Sequence, residues 1–267
     1  MRREYTYEDY HRVMKLLNKG LGPTEVSRML DIPKCTVKAW KYRRGVPWLA
    51  KWYPEPSNEL AYVIGVLLGD GCIVREHHND YDIILRVKDY EFAEEFSRNM
   101  AKILNKKFKK PRRWSGRPSL WIIYYHSKAF HTWFRKQTLD TLKPYMEYDE
   151  DTVKYFLRGI YDSEGCNYRC KRIILYNSDL KLLNYVRYLL KKYFGIMIRG
   201  PYLHVRAGSI HMRRDGEEIR TKNNNYYIGI YRMRNIQVFL SEIGFSIAEK
   251  QLGLPRRKKK PKPHPHP

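Results

Sequence analysis

The chain has 267 residues, 43% of them hydrophobic and 14% aromatic, enough for one large core or two modest ones. Its formal charge is +24, from 52 Lys and Arg against 28 Asp and Glu. That excess selects a polyanionic partner, nucleic acid before membrane, because no long basic amphipathic helix is present. No run of 18 apolar residues exists, so no membrane span is expected, and the polar start MRREYTYEDY does not read as a secretion signal. Cys35, Cys72, Cys166 and Cys170 are too few for a disulfide framework, and CNYRC has no second Cys or His pair at zinc-finger spacing. Reduced thiols in a cytosolic or organellar protein are expected.

The first segment, Tyr7–Tyr42, predicts three short helices. Val13, Leu16 and Leu17 recur at helical spacing in the first. Gly22-Pro23 opens the second, which turns Val26, Met29 and Leu30 inward. Asp31-Ile32 breaks it, and Pro33 suits the first turn of a third helix. Val37 and Trp40 face inward there, while Lys34, Thr36, Lys38 and Lys41 face out. Two short helices with a basic second one resemble a helix-turn-helix. Val46–Ser57 (VPWLAKWYPEPS) reads as an extended linker that packs.

From Asn58 one pattern runs twice: helix, two strands, helix, two strands, helix. In the first copy Leu60–Gly69 is an apolar helix. Cys72–Arg75 and Tyr81–Lys88 are strands, and Asp89–Asn105 is an amphipathic helix. Phe108–Trp114 and Leu120–His126 are strands, and Ser127–Gln137 is a short helix. Thr138–Asp151 reads as a link. In the second copy Val153–Ser163 is the apolar helix, Asn167–Asn177 holds strands and Ser178–Tyr193 is a helix. Ile196–Arg206 and Tyr226–Arg232 are strands, and Arg234–Ile243 closes the copy. Ala207–Asn225 is a basic insertion, read as a flexible hairpin tip. The tail PRRKKKPKPHPHP cannot pack a core. The expected divisions are therefore 1–45, linker 46–57, lobe 58–138, linker 139–152, lobe 153–254 and a basic tail 255–267.

The two apolar helices end alike. Ile64–Ile73 reads IGVLLGDGCI and Arg158–Asn167 reads RGIYDSEGCN. Gly65 and Gly69 share one face, as do Gly159 and Ser163, and small residues at that spacing let helix backbones approach closely. Gly71 and Gly165 suit a left-handed residue just past each helix end. One packing event would then bring Asp70 and Glu164 to a single point. Two carboxylates 4–5 Å apart repel by roughly 4 kcal/mol at an effective dielectric near 20. Protonating one acid or binding divalent cations would relieve this. Beside so basic a chain, a phosphodiester substrate and metal-assisted hydrolysis fit acids, charge and symmetry together. Asp162 reads as a polar residue at the helix seam. His77-His78 and His126 with His131 read as surface and core histidines, and no phosphate loop, dinucleotide fingerprint or nucleophile elbow occurs.

The stretches VIGVLLGDG (Val63–Gly71) and LRGIYDSEG (Leu157–Gly165) resemble the paired motifs of the LAGLIDADG homing endonucleases, over about Asn58 to Leu252. The family's catalytic acid falls on Asp70 and Glu164. The chain departs from the pattern at Leu68, where the family name carries its first Asp. The resemblance implies an α+β fold of two pseudo-symmetric αββαββα lobes in a monomer, here with the N-terminal all-α helix-turn-helix. It implies cleavage of both strands of a long, near-asymmetric duplex DNA target across the minor groove, leaving 3′ overhangs. It implies Mg²⁺, for which Mn²⁺ or Ca²⁺ can substitute in binding, held at Asp70 and Glu164 with neighbouring Gly69 and Ser163. Lys88 matches a basic catalytic position, Asn177 stands at the comparable place in the second copy, and Arg169 and Lys171 are alternatives. Outward sheet residues Arg86, Arg112, Arg113, Arg117, Arg172, Arg199, Arg206 and Tyr231 are candidate DNA contacts, with Lys34, Thr36, Lys38 and Lys41 in the N-terminal segment. An intron RNA maturase and a non-cleaving, DNA-binding transcription regulator are the competing functions.

Overall fold

The computed structural model describes residues 5–42, 52–75, 81–212 and 218–254. The tail 255–267, His77-His78 and the first half of the 46–57 linker lie outside them. The described chain packs as two compact units. One holds the N-terminal helices with Cys72–Ile84 and Tyr124–Thr141; the other holds Pro56–Gly71, Leu85–Ile123 and the chain from Leu142 onward.

The N-terminal segment forms α1 (Tyr7–Asn18), α2 (Pro23–Leu30) and α3 (Lys34–Lys41). A capping box between Thr6 and Asp9 satisfies the first amides of α1. Asp31, left-handed at φ 51°, ends α2, and Pro33 caps α3. Val13, Val26, Ile32, Val37 and Trp40 form the core, with the rings of Tyr5 and Tyr10 edge-on to Trp40. Met29, expected inside, is 59% exposed. The buried stripe of α2 runs through Val26 toward Leu30, and Met29 lies about 60° from Val26 and about 100° from Leu30 round the helix. In the same unit the linker residue Trp52 packs on Phe130 and Trp133, at 5.1 and 5.4 Å between ring centroids.

The first copy comprises α4 (Asn58–Leu67), β1 (Cys72–Arg75), β2 (Tyr81–Val87), α5 (Tyr90–Ile103), β3 (Arg112–Trp114), β4 (Arg117–His126) and α6 (Lys128–Arg135). Part of the expected link is helical, as α7 (Leu139–Met146). The second copy comprises α8 (Glu150–Glu164), β5 (Gly165–Tyr168), β6 (Arg172–Asn177), α9 (Leu180–Phe194), β7 (Arg199–Val205), β10 (Asn225–Ile230) and α10 (Met233–Val238), which runs into a π-helical turn, Phe239–Ile243. The strands β8 (Ile210–Met212) and β9 (Glu218–Arg220) pair as the hairpin of the insertion, and α11 (Ala248–Gln251) follows the second copy. Helix α8 starts at Glu150, three residues before the expected Val153, because Asp149 and Thr152 form a reciprocal cap. The sheets have matching orders, β1-β2-β4-β3 and β5-β6-β10-β7, and their recorded pairings are antiparallel. The fold is α+β with two αββαββα copies.

Helices α4 and α8, both in the second unit, make the closest packing. All eight residues Leu60–Leu67 of α4 are buried. A Cβ added to Gly65 would run into the Phe156 carbonyl and sit 2.8 Å from the Ile160 nitrogen. One added to Gly159 would run into the Tyr62 carbonyl, and one on Gly69 would sit 2.5 Å from Ser163 Cβ. The obstructing atoms at Gly65 and Gly159 are backbone and cannot swing aside. Gly71 and Gly165 are needed for a different reason than expected. Neither has positive φ; Gly165 is extended (φ −83°, ψ 151°) and is already the first residue of β5. A side chain there would strike the Tyr161 carbonyl, and one at Gly71 would sit 2.7 Å from a Leu67 methyl. Helix α8 runs directly into β5, and α4 passes through the turn 68–70 before β1, so neither glycine is a left-handed cap.

Gly65→Ala and Gly159→Ala are each expected to cost about 3 kcal/mol, since the helices must separate to admit one methyl. Urea unfolding monitored by far-UV circular dichroism measures this; a loss under ~0.5 kcal/mol would contradict the backbone contact.

Candidate active site

The helix seam delivers the acids unequally. Glu164 is the last residue of α8 and is half-buried, whereas Asp70 lies in the turn beyond α4 and is exposed. A Cβ on Gly69 would lie 3.2 Å from Glu164 Cγ, so Glu164 lies against the turn that carries Asp70. Burial first, then the charge of Asp70, pushes Glu164 up to about 7, and Lys250 partly offsets this. The negative ends of both helices point the same way electrostatically. A proton or a cation at this point is therefore favoured.

Asp162 sits one turn deeper and stays off the surface, 1% exposed. It accepts hydrogen bonds from Tyr62 Oη across the seam (2.9 Å), from the Ser246 amide (2.9 Å) and from Ser246 Oγ (2.6 Å). Burial raises it to about 6, against the pull of Ser246, Lys250 and Tyr62. Its role is to tie α4, α8 and the C-terminal segment together, which is the seam role its spacing suggested.

The basic group beside the acids is Lys250, which sequence reasoning missed. Its ammonium is buried and donates to the carbonyls of Tyr161 (3.3 Å) and Asp162 (2.5 Å), at the C-terminal end of α8. It lies on α11, a helix of four residues whose position is held from outside. Glu91 accepts from the Ala248 amide (2.6 Å), Asn167 donates to the Lys250 carbonyl (2.9 Å), and Gln251 donates to the Leu240 carbonyl (3.0 Å). No periodicity marks so short a helix, and one lysine among 52 basic residues carries no signal of its own. Lys88, by contrast, is exposed one residue past β2 and is not among the charges acting on Glu164. Asn177 turns its side chain to the Asp179 amide (2.8 Å), starting α9 rather than serving the acids. Arg169 and Lys171 line a cavity of about 630 Å³ with Lys250, Asn167 and Cys166.

Among the described residues no three His, Cys, Asp or Glu side chains converge. His131 is a core histidine, 2% exposed, and His126 pairs with Asp82. A divalent ion would thus rest on the two carboxylates, backbone oxygens at Gly69 and Ser163, and oxygens of the substrate. That donor set suits Mg²⁺, which keeps few protein ligands and favours phosphate. Burial raises Glu164 most and the charge of Asp70 adds to it, and a cation between the two carboxylates would relieve both, so the residues fit it.

The expected DNA contacts do not share one face. Arg112 and Arg113 are successive residues of an extended strand and point oppositely. Arg113 lies 3.7 Å over the Trp121 ring, which itself meets Tyr90 of α5. It therefore belongs to the helix-covered side of its sheet, away from Arg86, which stacks on Trp114 at 4.9 Å. Arg117 opens β4, exposed. On the second sheet Arg172 stacks on Tyr168 (4.5 Å), Arg199 faces Tyr231 (5.8 Å), and Arg206 is exposed just past β7. On α3, Lys34, Lys38 and Lys41 are exposed and Thr36 is half-buried.

Residues 151–200 match the LAGLIDADG-like domain family, a span that begins with α8 and its acid. Uncharacterized protein MJ0398 of Methanocaldococcus jannaschii is 28% identical over 231 residues, 85% of this chain and 82% of its own. The structure of I-DmoI in complex with DNA and Ca is similar with a TM-score of 0.50 at 18% identity, over 74% of this chain and 97% of that one. Full-length DUF199/WhiA from Thermatoga maritima is similar with a TM-score of 0.45 at 16% identity, over 76% and 58%. Both motifs thus lie on closely packed helices, each acid following its small residue, with two sheets of one order, and the match to the LAGLIDADG-like domain family is carried by residues 151–200.

Proposed function

We propose that this protein is a site-specific, divalent-metal-dependent endonuclease that cuts both strands of duplex DNA. One observation carries the reading. The backbone-tight seam of α4 and α8 brings the ends carrying Asp70 and Glu164 together in a chain of charge +24. I-DmoI, whose fold is similar, was solved with DNA and Ca. On this reading the two acids serve one scissile phosphate each. A divalent cation held there supplies Lewis acidity and neutralises charge on the phosphodiester. Asp70 and Glu164 orient it and accept hydrogen bonds from solvent. Lys250 holds the end of α8 in place and keeps Glu164 from drifting fully to its protonated form. Arg86, Arg112, Arg117, Arg172, Arg199, Arg206 and Tyr231 grip phosphates and base edges, and α3 adds Lys34, Thr36, Lys38 and Lys41 as a second contact. Lys88 remains a candidate only as a residue that the bound DNA would draw toward the centre. The lobes act as the monomer's two halves on an asymmetric target.

The decisive experiment selects a target from a randomised duplex library by binding in Ca²⁺, then assays cleavage in Mg²⁺. Asp70→Asn with Glu164→Gln is expected to abolish cutting while leaving binding within ~3-fold, and Lys250→Met to slow cutting by about 10²-fold. Cleavage surviving the double substitution sinks the centre; binding without cleavage by the natural chain supports a regulator instead.

The raised Glu164 makes a second expectation without any DNA. Its folded value, about 7, lies above its ordinary 4.5, so the folded state binds the proton more tightly. Its contribution is then largest below about 4.5 and is lost as pH rises through 7. In chelator, Glu164→Gln should raise Tm at pH 8 and leave it nearly unchanged at pH 4.5. An equal shift at both values would mean that the carboxylate ionises normally.

Lys34, Lys38 and Lys41 make a third. If each neutralises one phosphate, replacing all three by Ala lowers the slope of log Kd against log salt by about 3. An unchanged slope would remove α3 from the interface.

A further inference from the structure

The second sheet has one buried face and one paved with aromatic rings. Ile173, Leu175, Ile228 and Ile230 lie in the core, on the side where α8 and α9 pack. The opposite side chains of three adjacent strands are tyrosines. Tyr176 of β6 is the register partner of Tyr227 of β10, which is the partner of Tyr202 of β7. Their ring centroids step by 5.9 and 5.6 Å. His204 extends the row, 4.8 Å from Tyr176. At one end the Tyr231 ring packs against Gly229, where a Cβ would come within 2.7 Å of it.

The row is exposed at Tyr202 and half-buried at Tyr176 and Tyr227, with charge beside it. Tyr202 is 48% exposed and Tyr231 36%. Arg172 and Arg199 stand beside it, and Arg206 lies just past the end of β7. Base pairs in a duplex present only their edges to a groove, and edges are read by forked donors such as Arg, Asn or Gln. The central row contains none. Tyrosine rings, here tilted 43° and 52° to their neighbours, offer apolar faces of the kind on which unpaired bases stack. A four-stranded antiparallel sheet with rings on adjacent strands holds two or three such bases in known RNA-binding modules.

We infer that this face binds a single-stranded RNA segment, with bases stacked on Tyr202, Tyr227 and Tyr176 and phosphates on the flanking arginines. RNA is the occupant because each ring carries a hydroxyl at its rim. Tyr168 and Tyr176 hold theirs 3.1 Å apart. A stacked nucleotide brings its ribose to that rim, where a 2′-hydroxyl can both donate and accept. The inference does not depend on DNA cleavage. It shares its flanking arginines with the proposed duplex interface, so the two ligands would compete there.

The test uses the full chain in metal-free buffer with a ten-nucleotide RNA carrying 2-aminopurine, and the DNA oligonucleotide of the same sequence. The RNA should bind more tightly than the DNA, with quenching of 2-aminopurine fluorescence on stacking. Tyr202→Ala and Tyr227→Ala should each weaken RNA binding by about 5- to 150-fold and restore fluorescence. Tyr202→Phe and Tyr227→Phe, which keep the ring and the packing, should retain quenching and stay within ~5-fold. Ala variants that melt like the natural chain and bind RNA equally well overturn the platform. So do Phe variants as weak as the Ala variants. Equal affinity for the DNA strand overturns the assignment to RNA.

Discussion

Two helices touching through their backbones decide where everything else can be. Gly65 faces Phe156 and Ile160, Gly159 faces Tyr62 and Val66, and neither position has room for a methyl group. The contact gains dispersion from closely packed atoms but admits no side chain to soften it. It brings Gly69 against Ser163 and Glu164, so the charge of Asp70 acts on Glu164. The like-charge cost is met locally: Glu164 holds its proton more tightly, and Lys250 supplies an opposing charge. Stability and site are therefore the same contact seen at two depths of the seam.

The two copies are alike in sheet order but not at the acids. Asp70 lies in a turn, exposed, while Glu164 ends a helix, half-buried beside Lys250. Asp162 has Leu68 as its counterpart, so the buried hydrogen-bond network with Tyr62 and Ser246 exists on one side only. A buried carboxylate is tolerated when its lone pairs are filled, and this one has three donors. The C-terminal segment that supplies Ser246 and Lys250 is in turn held by Glu91 and Asn167, one residue from each copy.

Charge alone would have selected nucleic acid for this chain, but the surfaces divide the work. Cations on α3 stand free of the helical core that Trp40 anchors, while those of the sheets lie on aromatic rings, as Arg86 on Trp114 and Arg172 on Tyr168. A guanidinium stacked on a ring keeps its donors at the edge while its plane is fixed, which reduces the entropy lost on contact. The tyrosine row of the second sheet is the exception, a surface whose chemistry is stacking rather than charge.

Much of the fold was legible because its signals are local. Strand alternation in Tyr81–Val87, the breaks at Asp31 and at Gly116, and the doubled acid-Gly-Cys after a small residue are readable within ten residues, and the pair of glycine-faced helices follows from them. Short-range reading failed over which side or state a residue takes, and where a neighbour distant in sequence made the choice. Met29 lost its place in the core to Leu30, Gly165 became a strand residue, and Arg113 turned to Trp121 because a pleated strand alternates its sides. Lys250 was hidden entirely: its burial depends on Tyr161 and Asp162, almost ninety positions earlier, and on a helix too short to show a period. The sequence by itself determined which residues could repel, cap or pack closely. Only the tertiary structure decided which carboxylate is crowded and which lysine answers it, because those effects depend on distance and burial, and neither is written along the chain.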